Sequence, residues 1–184
     1  MARLVAFLGS INVGGNRIKM VDLVAALTDA GFREVSTVAA SGNVILSDER
    51  DPAMLEIRLE STVEQSFGFK SCAMVRTADQ IRAAIDTNPF HGTGPGHGSD
   101  KMVHSIFLSQ QPEAAAVEAL IEEHKTKGSE RLALGNRVLF LDYVHGVGVS
   151  ELSNKLLERR LGCKGTARNM TSLKRILAKM EENA

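Results

Sequence analysis

An α+β fold is the class the sequence predicts, and three observations carry it. Short apolar runs bounded by Gly, Asn and Ser alternate with segments in which apolar residues recur every three to four positions. In the first half the alternation reads βαββαβ, and in the second it starts again. In each half one pair of short strands is joined by a tight turn and reads as a hairpin.

Leu4 to Leu8 is an apolar run ending at Gly9-Ser10 and reads as a buried strand. The loop Ile11 to Arg17 follows, with Gly14-Gly15-Asn16 as its turn signal. Met20, Leu23, Val24 and Leu27 then recur at helical spacing until Gly31 stops the helix. Val35 to Ala39 and Val44 to Leu46 form a hairpin around Ser41-Gly42-Asn43. Asp51-Pro52 is an N-cap followed by proline at the first helical position, and Leu55, Leu59 and Val63 share one face of that helix. Lys70 to Val75 reads as the next strand. Thr77 and Gln80 have capping-box spacing and open a short helix through Ile81 and Ile85, which ends before Pro89.

Between Gly92 and Gly98 every second residue is glycine, so His91 to Asp100 reads as a mobile loop and a boundary. After it, Val103 to Leu108 is a strand and Pro112 to His124 a helix. Arg131 to Leu134 and Val138 to Leu141 make a hairpin around Gly135-Asn136, and Ser150 to Leu161 is a helix. A final amphipathic helix turns Leu173, Ile176, Leu177 and Met180 inward. The expected architecture is two tandem ferredoxin-like (βαββαβ) subdomains, residues 1–90 and 91–184, with the C-terminal amphipathic helix on the second. The last strand of the second half is not legible as such, and the halves share element order without a residue-level repeat.

Composition narrows the function. The 184 residues carry 22 Lys+Arg and 22 Asp+Glu, so a strongly basic binder of polyanions is disfavoured. No apolar run approaches the roughly 20 residues of a membrane span. The start, Met1-Ala2-Arg3, lacks a signal-peptide pattern. Two cysteines, Cys72 and Cys163, make no disulfide framework, so a reduced, cytoplasmic protein without a membrane partner is expected.

Four segments carry a family resemblance: Ile11-Asn12-Val13-Gly14-Gly15-Asn16, Ser41-Gly42-Asn43-Val44, Asn88-Pro89-Phe90 and Thr166-Ala167-Arg168-Asn169. In this order along the chain they resemble the family called domain of unknown function 1697. The resemblance implies two ferredoxin-like α+β subdomains in tandem and no established activity. Two places depart from the family pattern. Gly9 and Ser10 stand where it usually has Arg-Gly, and Met170 where it usually has Trp. A cation and an aromatic surface are thus missing beside the two segments most suited to a ligand.

Read residue by residue, the chemistry is one of exclusions. Gly9 and Gly14 have the Gly-x4-Gly spacing of a P-loop, but Gly15-Asn16 replace Lys-Ser/Thr, which excludes that route to nucleotide hydrolysis. The glycine run 92–98 follows a helix and precedes a strand, the wrong order for a dinucleotide fingerprint. His91, His97, Asp100 and His104 lack a rigid frame, so no metal is expected. Cys72 alternates with apolar neighbours and reads as core. Cys163 lies near Arg159, Arg160, Lys164 and Arg168, cations that would lower a thiol pKa, but no His or Asp partner is legible, so a structural cysteine is expected before a reactive one. Residues 155–175 hold seven cations (Lys155, Arg159, Arg160, Lys164, Arg168, Lys174, Arg175) against Glu158 alone, which suggests either an anionic partner or a solvated helix face. Base stacking on the sheet is disfavoured, because Leu4 to Leu8 and Val44 to Leu46 offer only Phe7 as an aromatic.

The expected function is binding of a small anionic ligand, phosphorylated or nucleotide-like. The site expected is Asn12, Gly14, Gly15, Asn16, Ser41 and Asn43 together with Arg168 and Asn169, without metal or cofactor. The alternatives are an enzyme acting on that ligand and a nucleic-acid accessory using the basic C-terminal helices.

Overall fold

Residues 2–182 are described in a computed structural model. Met1, with which the N-terminal reading begins, lies outside the described residues, as do residues 183 and 184. Strand β1 (Ala2–Leu8) is buried from Leu4 onward. A strand covered on both faces reads as a continuous apolar run, which is why its signal is plain. Helix α1 (Met20–Asp29) buries Leu23 and Leu27. It stops where Gly31 takes φ 85°, with Gly31 N–H donating to Thr28 O and Phe32 N–H to Leu27 O. That is the Schellman closure, and it needs a residue free to be left-handed.

Strands β2 (Arg33–Val38) and β3 (Asn43–Asp48) form the expected hairpin. Asp51 caps α2 (Pro52–Phe67) by accepting from Ala53 N at 2.9 Å, and Leu55, Leu59 and Val63 are buried. Strand β4 is Ala73–Thr77, not Lys70 to Val75. The shift has a local cause. Leu8 is the last residue of β1 to pair, opposite Ala73, because the chain turns at Gly9-Ser10. Ser71 Oγ and Cys72 O are bonded instead to the carbonyl and N–H of Gly9. Helix α3 (Ala78–Asp86) opens on a complete capping box: Gln80 N–H donates to Thr77 Oγ1 at 3.2 Å, and Thr77 N–H to Gln80 Oε1 at 2.9 Å.

The strands of the first sheet lie in the order β2-β3-β1-β4, and all neighbours are antiparallel. One face presents Leu4, Ala6, Leu8, Val44, Leu46 and Val75 to the apolar stripes of α1 and α2. On the alternate positions Val5, Phe7, Ile45 and Met74 are also fully buried.

The second sheet repeats the plan. Strand β5 (Val103–Leu108) leads to α4 (Ala114–His124), then the hairpin β6 (Arg131–Leu134) and β7 (Val138–Asp142). A 3-10 turn at Val147–Val149 precedes α5 (Asn154–Leu161). Helix α5 starts later than Ser150 because Ser153 is its cap, accepting from Leu156 N at 3.2 Å. Likewise α4 starts at Ala114 and not at Pro112. Gly165–Asn169, which reads as a plain connection, is strand β8. It carries no apolar alternation; its pairing with β5 makes it a strand. The order is β6-β7-β5-β8, again antiparallel throughout. Ile106, Leu108, Leu139 and Leu141 pack with Val117, Leu120, Leu157 and Leu161. Helix α6 (Met170–Glu181) buries Leu173, Ile176 and Met180.

The described residues therefore form a mixed α+β fold of two four-stranded antiparallel sheets and six α-helices. No helix among them is long and apolar enough to cross a membrane. By contacts the chain divides into two compact units: Met1–Ile81 with Arg175–Ala184, and Arg82–Lys174.

Candidate functional site

At the end of β1 the backbone leaves the sheet through an unusual loop. Ser10, Asn12 and Gly14 have φ of 59°, 56° and 62°, while Ile11 and Val13 between them do not take positive φ; Gly15 follows at 97°. Left-handed non-glycine residues cost free energy and persist only where the surroundings hold them. Asn12 supplies that hold. Its Nδ2 donates to Ile18 O at 3.1 Å and Ala40 O at 2.8 Å, and its Oδ1 accepts from Ile18 N at 2.9 Å. Asn16 Nδ2 donates to Ser10 O at 3.1 Å. The loop is thus a closed frame built by its own asparagines.

The β2–β3 turn is drawn into the same frame. Leu8 N–H donates to Gly42 O at 2.8 Å, and Gly42 takes φ 72°. A Cβ on Gly42 would lie 2.8 Å from Leu8 O, so the close approach requires glycine. Asn43 is fully buried, with Nδ2 donating to Val38 O at 2.8 Å and to Ser41 Oγ at 3.1 Å. Six of the eight expected residues (Asn12, Gly14, Gly15, Asn16, Ser41 and Asn43) are therefore brought together at one end of the first sheet. The polar side chains build the frame, whereas Gly14 and Gly15 face open space.

The N–H groups of Asn12, Val13, Gly14 and Gly15 make no hydrogen bond among the described residues. Arg17, at the end of the loop, is exposed and spends Nη1 on Asn12 O at 3.3 Å. It was not among the expected site residues, although a cation closing a glycine turn was there to be read. No carboxylate, imidazole or thiol lies in residues 10–17 or 39–43.

Arg168 and Asn169 belong to the second unit. Arg168 is buried in β8, and its Nη1 donates to Thr166 Oγ1 at 2.7 Å and Ala167 O at 2.8 Å. Asn169 Oδ1 accepts from Ser172 N at 2.9 Å, so it caps α6. The basic stretch is divided in its employment. Arg160 pairs with Glu123, Lys174 pairs with Asp100 at 2.7 Å, and Arg168 is internal.

The remaining reactive side chains are placed as follows. Cys163 is buried, and burial, aided by the charge of Glu158, pushes its thiol above the usual range. The nearby cations do not offset this, which favours a structural Cys163 over an activated thiol. Cys72 lies just before β4 and is half-buried. His91 Nε2 is 3.4 Å from Asp100 Oδ1, His97 Nδ1 lies 3.1 Å from Gly94 O, and His104 Nδ1 lies 2.9 Å from Met102 O. The glycine-rich loop is also tied by Gly98 N–H donating to Phe90 O at 2.9 Å.

The profile of the family described as protein of unknown function, DUF1697, matches residues 1–140. The chain belongs to that family. The matched span contains the Asn12–Asn16 loop and the Ser41–Asn43 turn, whereas Arg168 and Asn169 lie beyond it. Among solved structures, this DUF1697 chain is similar to a conserved bacterial protein, SP0830 from Streptococcus pneumoniae. The two share 21% sequence identity, with a TM-score of 0.69 over 98% of this chain and 99% of that one. At that identity the likeness is one of fold. No curated protein matches the chain.

Proposed function

We propose that this protein binds a small anionic ligand, phosphorylated or nucleotide-like, at the Asn12–Asn16 loop. The observation that carries the reading is the run of unbonded N–H groups from Asn12 to Gly15, on a backbone whose φ alternates in sign from Ser10 to Gly14, beside the Arg17 guanidinium. Alternating handedness turns successive N–H groups toward one side, and such a concavity favours negative charge. A guanidinium adds charge-assisted, two-pronged contact. Residues 10–17 and 39–43 hold no carboxylate, imidazole or thiol that could activate the hydroxyls of Ser10 and Ser41, which favours binding over catalysis there. The residues that would hold the ligand belong to the first unit, without Arg168 or Asn169.

The same reading treats each sheet with its helices as a ferredoxin-like half, in tandem. Support comes from the strand orders β2-β3-β1-β4 and β6-β7-β5-β8 with every neighbour antiparallel. A reducing, cytoplasmic setting is proposed because neither Cys72 nor Cys163 is in a disulfide.

The test is an amide-resolved NMR titration with inorganic phosphate, pyrophosphate and ATP on the wild-type protein and Arg17→Ala. Saturable shifts centred on Val13, Gly14 and Gly15, weakened in Arg17→Ala, are expected. Shifts scattered over Lys155, Arg159 and Lys164 instead would move the binding to the basic helices and end this assignment.

A further inference from the structure

We propose that the cavity under the Tyr143–Glu151 segment of the second unit is a separate ligand site, one that takes a small organic amine bearing a short apolar group. The cavity holds about 200 Å³ and is walled in part by Glu130, Tyr143, His145, Val149 and Glu151. Drug-sized pockets begin at about 300 Å³, so the occupant is a small molecule and not a nucleotide.

One carboxylate in this wall is held in place with unusual care. Glu130 Oε2 lies 2.8 Å from His124 Nε2, and both side chains are more than nine-tenths buried. Burial works to raise the Glu130 pKa, but hydrogen bonds from the Ser150 hydroxyl and His124 outweigh it, so the carboxyl sits below its usual range. The turn after α4 presses backbone directly onto the pair. A Cβ at Gly128 would lie within 2.6 Å of the His124 ring, so only glycine allows that approach. A carboxylate kept charged and fixed at a cavity wall is a receptor for a cation or a strong donor.

A second carboxylate stands at the wall. Glu151 lies at the same cavity and is exposed. Lys127, the cation at its edge, is engaged 2.5 Å away by Glu123. Tyr143 is buried, and its hydroxyl makes no hydrogen bond among the described residues. Its ring is fixed by the edge-to-face contact with His104, at 4.8 Å between centroids. The phenol therefore offers a fixed aromatic wall with a donor at its tip.

The segment after Tyr143, which lends His145, Val149 and Glu151 to the cavity wall, is strained and carries exposed apolar side chains. Val144 takes φ 53°, which a β-branched residue rarely adopts, and Gly146 takes 109°. Val144, Val147 and Val149 are 40%, 53% and 75% exposed. Strain of this kind clusters at ligand clamps, and the exposed methyl groups of Val149, at the cavity wall, provide the surface an alkyl group would cover.

Butylamine is the probe, with butyrate and butanol as controls of matched size. NMR signals of the Tyr143 ring and of the His124 and His145 imidazoles report occupancy. Butylamine is expected to shift them saturably at millimolar concentration, while butyrate and butanol leave them in place. Glu151→Gln, at an exposed position that leaves folding intact, is expected to weaken butylamine about tenfold, and Val149→Ser to weaken it less. Equal binding of butyrate, unchanged affinity in Glu151→Gln, or no movement of these signals with butylamine would overturn the site. Because the read-out lies in the second unit, none of these results bears on phosphate binding at Gly14 and Gly15.

Discussion

Arg76 and Arg168 hold the same position in their two sheets. Arg76 pairs in register with Val5, and Arg168 with Ser105, each on the strand after the second long helix of its half. Each guanidinium sends Nη1 to the carbonyl of the residue before it, Val75 and Ala167, at 2.8 Å in both. Each is followed by a residue that caps the next helix: Thr77 accepts from Gln80 N, and Asn169 from Ser172 N. Both arginines are buried. A charge-assisted hydrogen bond is worth roughly 1.5–3 kcal/mol. Arg76→Met and Arg168→Met are therefore each expected to cost about that much in urea unfolding, with similar values at the two sites. A cost under about 0.5 kcal/mol at both would show that neither bond matters to stability.

Gly15 and Gly42 both take positive φ, but only Gly42 is crowded. Alanine at Gly15 meets nothing within 4 Å, so its cost is the left-handed backbone alone, about 1–2 kcal/mol. Alanine at Gly42 adds a clash with Leu8 O and the Ile11 side chain, and it loosens the turn that frames the loop. Thermal melts should rank Gly42→Ala well below Gly15→Ala. The reverse order would contradict the frame described for this site.

Acid should destabilise the protein through two carboxylates in particular. The Arg50 side chain is the main reason that Asp48 sits below its usual range, and Glu130 is also lowered. Unfolded carboxyls titrate near about 3.9–4.3, so in that region the unfolded chain binds more protons than the folded one. The stabilisation is complete above pH ~5 and is lost as pH falls through the lower folded values. Urea midpoints measured from pH 7 down to pH 3 should fall steeply below about 4. Asp48→Asn should start lower and fall less steeply; a parallel curve would remove Asp48 from the account.

Cys163 is expected to react with a thiol reagent such as DTNB far more slowly in the folded protein than in urea, since burial disfavours its thiolate. Native-state labelling as fast as that of the unfolded chain would restore the activated-thiol reading.

What was legible in the sequence was what local physics decides. The continuous run Val103 to Leu108 is a strand at those limits, and Thr77 and Gln80 form the capping box their spacing announces. Strand β8 was not legible, because Gly165-Thr166-Ala167-Arg168-Asn169 has no alternation and depends on β5 for its register. The repeat between Arg76 and Arg168 was hidden for a related reason: the neighbours differ in type, and only the pairing aligns them. Asn12 was legible as part of a polar loop, but its side chain braces Ile18 and Ala40 instead of facing outward. The contact of His124 with Glu130 bridges the end of a helix and the start of a strand, a tertiary relation that no periodicity reports.

The first compact unit is discontinuous: Met1–Ile81 is completed by Arg175–Ala184, and the whole of Arg82–Lys174 intervenes. During synthesis from the N-terminus, every segment of the second unit emerges before the first unit receives its final piece. The second unit can close on contiguous chain, whereas the first can assemble its core from Leu4 to Val75 early and receives its last segment only at the end. A fragment ending near residue 90 would keep all four strands of the first sheet and lack the segment that completes that unit. Ribosome-bound chains should accordingly gain protease resistance at the beginning of the sequence in two steps, the second only after residues 175–184 have emerged.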